Sequence, residues 1–257
     1  MTGFAGMIRA PLTLAARPSG SRGLVNSLLD SLPSDEAGRV LSELELVSIE
    51  SSRVLFEQGQ PIDQVYFPVS SMISLLRTMN DRAVVETGAV GYEGMVGVPV
   101  FLGAAISDSL CRVEVAGEAW RTSSAGFLRL VKANYHLSGV VGLYTAARMA
   151  ATRQLVACNL LHPISQRCAR SLLSIHDHVA DDELLLTHDH LAEILGVRRA
   201  GVTAALGVFQ ARRLITSHRG VITILDRQRL EAEACECGGN IRAFYNLRVL
   251  TDPHAQS

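Results

Sequence analysis

Three groups of side chains in this 257-residue sequence have the type and spacing to do chemistry. His176-Asp177-His178 and His188-Asp189-His190 have the composition of metal ligands around a carboxylate, Cys235-Glu236-Cys237 sets two thiols two residues apart, and arginine gathers between positions 196 and 229. A metal-dependent hydrolase would need the histidines to converge with carboxylates in one cleft. On a helix, residues two apart point about 200° from each other, so neither pair easily chelates one ion. Both segments read better as polar residues around a helix end and a helix start. The thiols of Cys235 and Cys237 could bind a metal or oxidise and so make the protein redox- or metal-responsive, but two ligands fall short of the four usual for structural zinc. No metal and no cofactor is expected.

The arginines point to phosphate. From residue 196 to 229 there are seven of them against a single acid, Asp226, while the whole chain carries a formal charge of −1. A local basic surface on a near-neutral protein is the electrostatic footprint of a nucleic-acid-binding module. The elements that would position it can be read around it. Thr187 is placed to cap a short helix with Asp189 in its first turn and Leu191 and Leu195 on its buried face, and Gly196 permits a sharp turn. A second helix follows over 198–212, with Val202, Ala205, Leu206 and Phe209 on one side and Arg199, Ala200, Thr203, Gly207 and Gln210 on the other. Two short helices joined by a glycine turn, the second opening on arginine, match a helix-turn-helix whose recognition helix enters the major groove N-terminus first. Residues 214–225 are two β-rich runs around His218-Arg219-Gly220 and read as a hairpin wing whose tip touches the sugar-phosphate backbone. The expected DNA-binding residues are Thr187, Arg198, Arg199, Thr203, Gln210, His218 and Arg219, with Arg199 the best placed to bond both acceptors of a guanine. A helical hairpin with solvated arginines is the competing reading.

Upstream, short β-type runs at 53–56, 64–68, 72–76, 83–87 and 111–115 are separated by turn signals, which suggests a barrel or sandwich of jelly-roll form. After Ser123-Ser124 the sequence turns helical as far as 179, broken only at His162-Pro163, so one helix should end near 161 and the next begin at Pro163. Within the first of these, Val140, Tyr144, Ala147, Ala151, Gln154, Cys158 and Leu161 alternate spacings of four and three, the seam of a coiled coil. The stripe is favoured as a dimer seam; packing on its own barrel is the alternative.

These residues together resemble the Crp/Fnr family of transcription regulators over about 28–230. Leu191-Ala-Glu-Ile-Leu-Gly-Val-Arg-Arg-Ala-Gly-Val-Thr, then Arg213-Leu214-Ile215 and the wing, carry the likeness most strongly. Phe56-Glu-Gln-Gly-Gln-Pro, Val65-Tyr66-Phe67 and Gly91-Tyr-Glu-Gly-Met-Val-Gly extend it upstream. The resemblance implies an α+β protein: an N-terminal β-roll, jelly-roll-like, then a long dimerisation helix and a C-terminal winged helix-turn-helix. The expected division is a disordered tail over 1–23, a cyclic-nucleotide-type β-roll sensor over 24–122, a helical dimerisation region over 123–161, the winged helix-turn-helix over 162–232 and a C-terminal extension over 233–257. It also implies a homodimer that binds double-stranded promoter DNA and contacts RNA polymerase, and not an enzyme.

Two departures from the family pattern matter. Better-known members present Arg-Glu at the start of the recognition helix and an Arg four residues after that Glu; Arg199 matches the first, but Ala200 and Ala204 hold the other positions. Members that bind cyclic AMP carry Gly-Glu-x-x-Gly and an arginine about ten residues on, a carboxylate for ribose and a guanidinium for phosphate. Here Gly94, Met95 and Gly97 occupy the effector turn, with Met95 in place of the acid, and no arginine lies between 104 and 109. Gating by cyclic AMP is therefore not expected. Nor is an N-terminal iron-sulfur cluster, since no cysteine precedes Cys111. Five scattered cysteines and 48% hydrophobic residues, with no long uncharged apolar run, suit a cytoplasmic protein without disulfides or a membrane span.

Overall fold

The computed structural model describes residues 26–81, 83–179 and 182–245. The expected tail over 1–23 lies outside these residues, as does 246–257 of the expected extension. The chain opens with α1 (Ser27–Asp30) and α2 (Ser34–Ser42). Asn26 is the reason α1 starts where it does: its Oδ1 accepts from the N–H groups of Leu28 and Leu29, while its Nδ2 donates to the carbonyls of Pro68 and Gly94, both at 2.8 Å.

Seven strands follow: β1 (Glu45–Ile49), β2 (Val54–Phe56), β3 (Gln64–Pro68), β4 (Met72–Thr78), β5 (Val84–Val90), β6 (Leu110–Val115) and β7 (Gly117–Ser123), with the short α3 (Val98–Phe101) before β6. They pair antiparallel into two sheets, ordered β1-β7-β3 and β2-β6-β4-β5. One apolar core takes Ile49, Val65, Phe67 and Ala119 from the first sheet and Phe56, Ile73, Val90 and Val113 from the second, so the sheets close on each other as a roll. β4 bends into both neighbours with shifts of register, at Leu75/Leu76 against β5 and at Met72/Ile73 against β6.

Ser123 caps α4 (Ser124–Ala133) and Asn134 caps α5 (Tyr135–Leu161), each side chain accepting from an N–H three residues on. Helix α5 stops at His162, which is extended ahead of Pro163, and α6 (Ile164–His176) begins behind it. After α6 come β8 (Glu183–Leu185), α7 (His188–Leu195), α8 (Arg199–Ala211), β9 (Ile215–His218), β10 (Val221–Ile224), α9 (Arg227–Glu233) and α10 (Cys237–Tyr245). β8 joins the wing as its third strand, in the order β8-β10-β9. No helix among the described residues is long and apolar enough to cross a membrane.

The dimer seam read from the sequence needs correction. Val140, Tyr144, Ala147, Ala151 and Cys158 face the interior of their own chain, with Tyr144, Ala147 and Cys158 at 0% exposure. The first four belong to the core of the roll, and Tyr144 stacks on Tyr245 of α10 with ring centroids 5.8 Å apart. Gln154 is half-buried and donates to Cys237 Sγ, while Leu161, at the last position of the helix, is 77% exposed. Helix α5 is apolar on more than one side, so a spacing of three and four residues can be drawn along either. The face left uncovered is Gly139, Gly142, Ala146, Met149, Arg153, Val156 and Leu160, again alternating three and four. Met149, Val156 and Leu160 are 54%, 56% and 80% exposed. A Cβ built on Gly139 or Gly142 would meet nothing within 4 Å.

Candidate nucleic-acid interface

Thr187 Oγ1 accepts from the N–H of His190 at 3.1 Å and so starts α7. Gly196 ends it in the left-handed conformation (φ 62°), a shape that costs most residues energy and glycine little. Leu191 and Leu195 then meet Val202, Ala205, Leu206 and Phe209 of α8 in a second core, with Leu172 of α6 and Ile215 and Ile222 of the wing. Burying that stripe turns the other face of α8 outward: Arg199, Ala200, Thr203, Gly207 and Gln210 are all exposed or half-exposed, as is Arg198 before them. No side chain caps the start of α8, so its first N–H groups are open to an anion.

The wing turns on Arg219 (φ 48°) and Gly220 (φ 83°), two left-handed residues in succession between His218 and Val221. That is the twist a two-residue hairpin needs, and it leaves His218 and Arg219 exposed at the tip. The wing is fastened to the helices by His188, whose Nδ1 lies 3.0 Å from Thr203 Oγ1 and whose Nε2 lies 3.1 Å from Ser217 Oγ. Sequence reasoning placed Thr203 at the interface and missed this bridge, because nothing local ties 188 to 203 and 217.

The charge of the face is more concentrated than its composition suggests. Arg212 pairs with Glu233 at 2.7 Å, Arg227 with Asp177 at 2.6 Å and Glu231 at 2.9 Å, and Arg229 with Asp226 at 3.8 Å. Arg199 is 3.0 Å from Asp189, but both side chains are about two-thirds exposed, at 64% and 67%, so the pair is weak and easily exchanged. The arginines at the helix start and wing tip, 198, 199 and 219, are exposed.

The histidine pairs do not converge. His176 contacts Asp182 at 2.8 Å and accepts from Arg227, whereas His178 turns to Glu93 at 3.5 Å. His190 reaches Glu114 Oε1 at 3.2 Å across the contact with the roll, where Arg112 also pairs with Glu193 at 2.9 Å. Burial would push the His178 imidazole down, but the hydrogen bond and charge of Glu93 outweigh it and hold it above its ordinary value. Burial likewise would raise the Glu93 carboxyl, yet His178 and the Gly91 N–H bring it below the usual carboxylate range. The two therefore favour a charged pair between the roll and the segment just after α6.

The residues expected at the effector turn are buried in the roll. Met95 is 1% exposed inside the roll, Tyr144 donates to its carbonyl at 3.1 Å, and a Cβ on Gly94 would come within 2.3 Å of the same tyrosine. Gly97 is buried in a left-handed turn (φ 109°) beside Val65. A cavity of about 370 Å³ lies between β5, α5, α6 and α10, lined among others by Glu86, Arg148, Arg170 and His178, with Tyr92 and Glu93, just before the turn, in its wall.

Residues 166–233 match the family model described as a Crp-like helix-turn-helix domain. The fold is similar to that of a c-di-GMP responsive global regulator, CLP, from Xanthomonas campestris, at 17% identity and a TM-score of 0.60 over 75% of this chain and 99% of that one. It is similar also to FixK2 from Bradyrhizobium japonicum (12%, TM-score 0.61, 75% and 98% covered). A CRP/FNR-family transcriptional regulator from Thermus thermophilus matches at 21% identity with a TM-score of 0.55, over 74% and 98%. No curated protein matches the sequence.

Proposed function

We propose that this chain is a Crp/Fnr-type DNA-binding regulator, a reading supported by the Crp-like helix-turn-helix match over 166–233, and that it reads duplex DNA with the exposed face of α8 and steadies itself with the wing. The observation that carries this reading is the joint exposure of Arg199, Thr203 and Gln210 on one face of α8, with Arg198 exposed before it and His218 and Arg219 exposed at the wing tip. Arg199 is assigned to a guanine edge, exchanging Asp189 for the base, and Thr203 and Gln210 lie along the groove. Arg198, His218, Arg219 and the Thr187 end of α7 are assigned to phosphates, where they position without specifying. With Ala200 and Ala204 in place of longer side chains, the sequence read differs from that of members carrying Glu and Arg there.

The protein acts as a homodimer in this proposal, joined along the Gly139–Leu160 face of α5, which carries exposed Met149, Val156 and Leu160 toward its C-terminal end and open Gly139 and Gly142, where a second backbone can approach, toward its N-terminal end. Promoter DNA, a second copy of the chain and RNA polymerase are its partners, the last following from the class of protein alone. The residues divide as a roll over 24–122, a helical region over 123–161, a winged domain over 162–232 and an extension beyond. Cyclic AMP is not its signal, because the buried Met95 offers ribose no carboxylate. Calorimetry should find that nucleotide binding no tighter than about millimolar, near −4 kcal/mol; micromolar binding would contradict this. The DNA reading is tested by titrating duplex DNA at several salt concentrations. The observed binding constant should fall linearly on a log–log plot, as counterion release requires. Salt-independent binding, or none, would overturn it.

A further inference from the structure

The chemistry left over by this function lies at the joint between α5 and the winged domain. Cys158, in the last turn of α5, His162, at the joint itself, Cys235, in the link between α9 and α10, and Cys237, the first residue of α10, bring one ligand atom each into a group in which all four atoms lie within 4.8 Å of one another. Cys158 Sγ is 3.6 Å from Cys235 Sγ, and Cys237 Sγ is 3.4 Å from His162 Nδ1. A tetrahedral zinc ion with Zn–S near 2.3 Å and Zn–N near 2.0–2.1 Å sets its ligand atoms about 3.5–3.8 Å apart along each edge. The spacing is too small for the thiolates of a four-iron cluster and too large for a disulfide, which needs sulfurs about 2.05 Å apart. We propose that Cys158, His162, Cys235 and Cys237 form a closed, structural zinc site.

The surroundings fit the same reading. The Nδ1 atom of His162 faces the thiols, and its Nε2 lies 3.4 Å from Glu236 Oε1. That is the arrangement in which a carboxylate fixes the tautomer and raises the basicity of a ligating imidazole. Gln154 Nε2 donates to Cys237 Sγ at 3.1 Å, as an amide does to a metal thiolate. Three thiolates and a neutral imidazole around a divalent ion leave one negative charge. Arg167 and Arg170 lie within electrostatic reach of Cys158, and each has a buried Nε without a hydrogen-bond partner among the described residues. Buried cysteines often serve as small apolar side chains. These three form a cluster of their own, apart from both cores, against a histidine and a glutamine. Loaded with zinc, the site would tie α10 and the end of the winged domain to the last turn of α5, so that binding energy becomes folding energy for the joint.

The test is metal analysis of the full-length protein purified from zinc-replete cells, with cobalt(II) replacement as a second readout. The expected result is roughly one zinc per chain. In the cobalt form, visible bands of a tetrahedral ion should appear with thiolate-to-metal charge transfer. Cys237→Ser and Cys158→Ser should lose the ion, whereas Cys111→Ser and Cys168→Ser, outside the group, should keep it. Should the ligand variants fail to fold, Glu236→Gln still decides, because loss of the carboxylate behind His162 should lower zinc affinity in chelator competition by about 10–100-fold. Protein free of zinc and without tetrahedral cobalt bands would overturn the proposal. So would iron or copper in zinc's place, a Cys158–Cys235 disulfide in native protein, or unchanged affinity in Glu236→Gln.

Discussion

Arg199 leaves the first turn of α8 into solvent with Asp189 as its partner, and Arg219 sits at the tip of the wing on a left-handed backbone. The two guanidinium groups are alike in chemistry and differ in what they can reach, so they should fail differently. Arg199→Ala should cost about 1–3 kcal/mol of specific binding and relax the preference at one position in each half-site. Arg219→Ala should weaken all duplexes alike and lower the salt slope by about one unit. Binding measured on matched and mismatched duplexes at several salt concentrations separates the two; an Arg199→Ala protein with its sequence preference intact would remove that residue from the base-reading role. At this scale the sequence was legible where the chemistry is local. Thr187 as a cap, Gly196 as a left-handed turn and Arg199 on the outer face follow from helix period and capping alone. The bridge from His188 to Thr203 and Ser217, the four ligands gathered from positions 158 to 237, and the acids that neutralise Arg212 and Arg227 are products of tertiary folding, and no spacing announces them.

Helix α5 shows how an element can be found at one end, missed at the other and turned wrongly: its C-terminal end at 161 was expected, but the break at Asn134 divides from α4 a stretch read as one helix from Ser123-Ser124. Its ends follow from Asn134 and Pro163, but its apolar residues wrap most of the way round, and the stripe through Tyr144 and Ala147 is the one its own chain buries. A single charge on each face separates the two roles. Val156→Glu should leave the chain folded and turn the proposed dimer into monomer, since like charges would meet across a two-fold axis. Ala151→Glu, with the residue 4% exposed in the core, should instead destabilise the fold by several kcal/mol, as an uncompensated buried charge does. Sedimentation reads the first and thermal unfolding the second; a dimeric Val156→Glu protein would place the interface elsewhere. Strand β7 and helix α10 were missed for a related reason. β7 contains Gly117, Glu118 and Arg121, and α10 opens Cys-Gly-Gly, so neither has strong local preference and each is held by what it packs on: β7 between β1 and β3, α10 along α5.

Across the whole molecule, the winged domain rests on the roll through pairs that the sequence keeps far apart: Arg112 with Glu193, Glu114 with His190, and Glu93 with His178. The α7–α8 turn lies against the β4–β5 hairpin, where a Cβ on Gly196 would come within 2.8 Å of Val85. Sensor-like roll, long helix and reading head are thus one connected body, and the order of the three could be read from the change of texture along the chain while their contacts could not. A dimer built on α5 presents two copies of α8 related by a two-fold axis, so the DNA it prefers must carry the same symmetry. The most direct test is selection of bound duplexes from a random pool with the purified full-length protein. The enriched sequences should share a pseudo-palindrome with half-site centres about 34–36 Å apart; a pool that enriches nothing, or a single half-site without symmetry, would contradict the account.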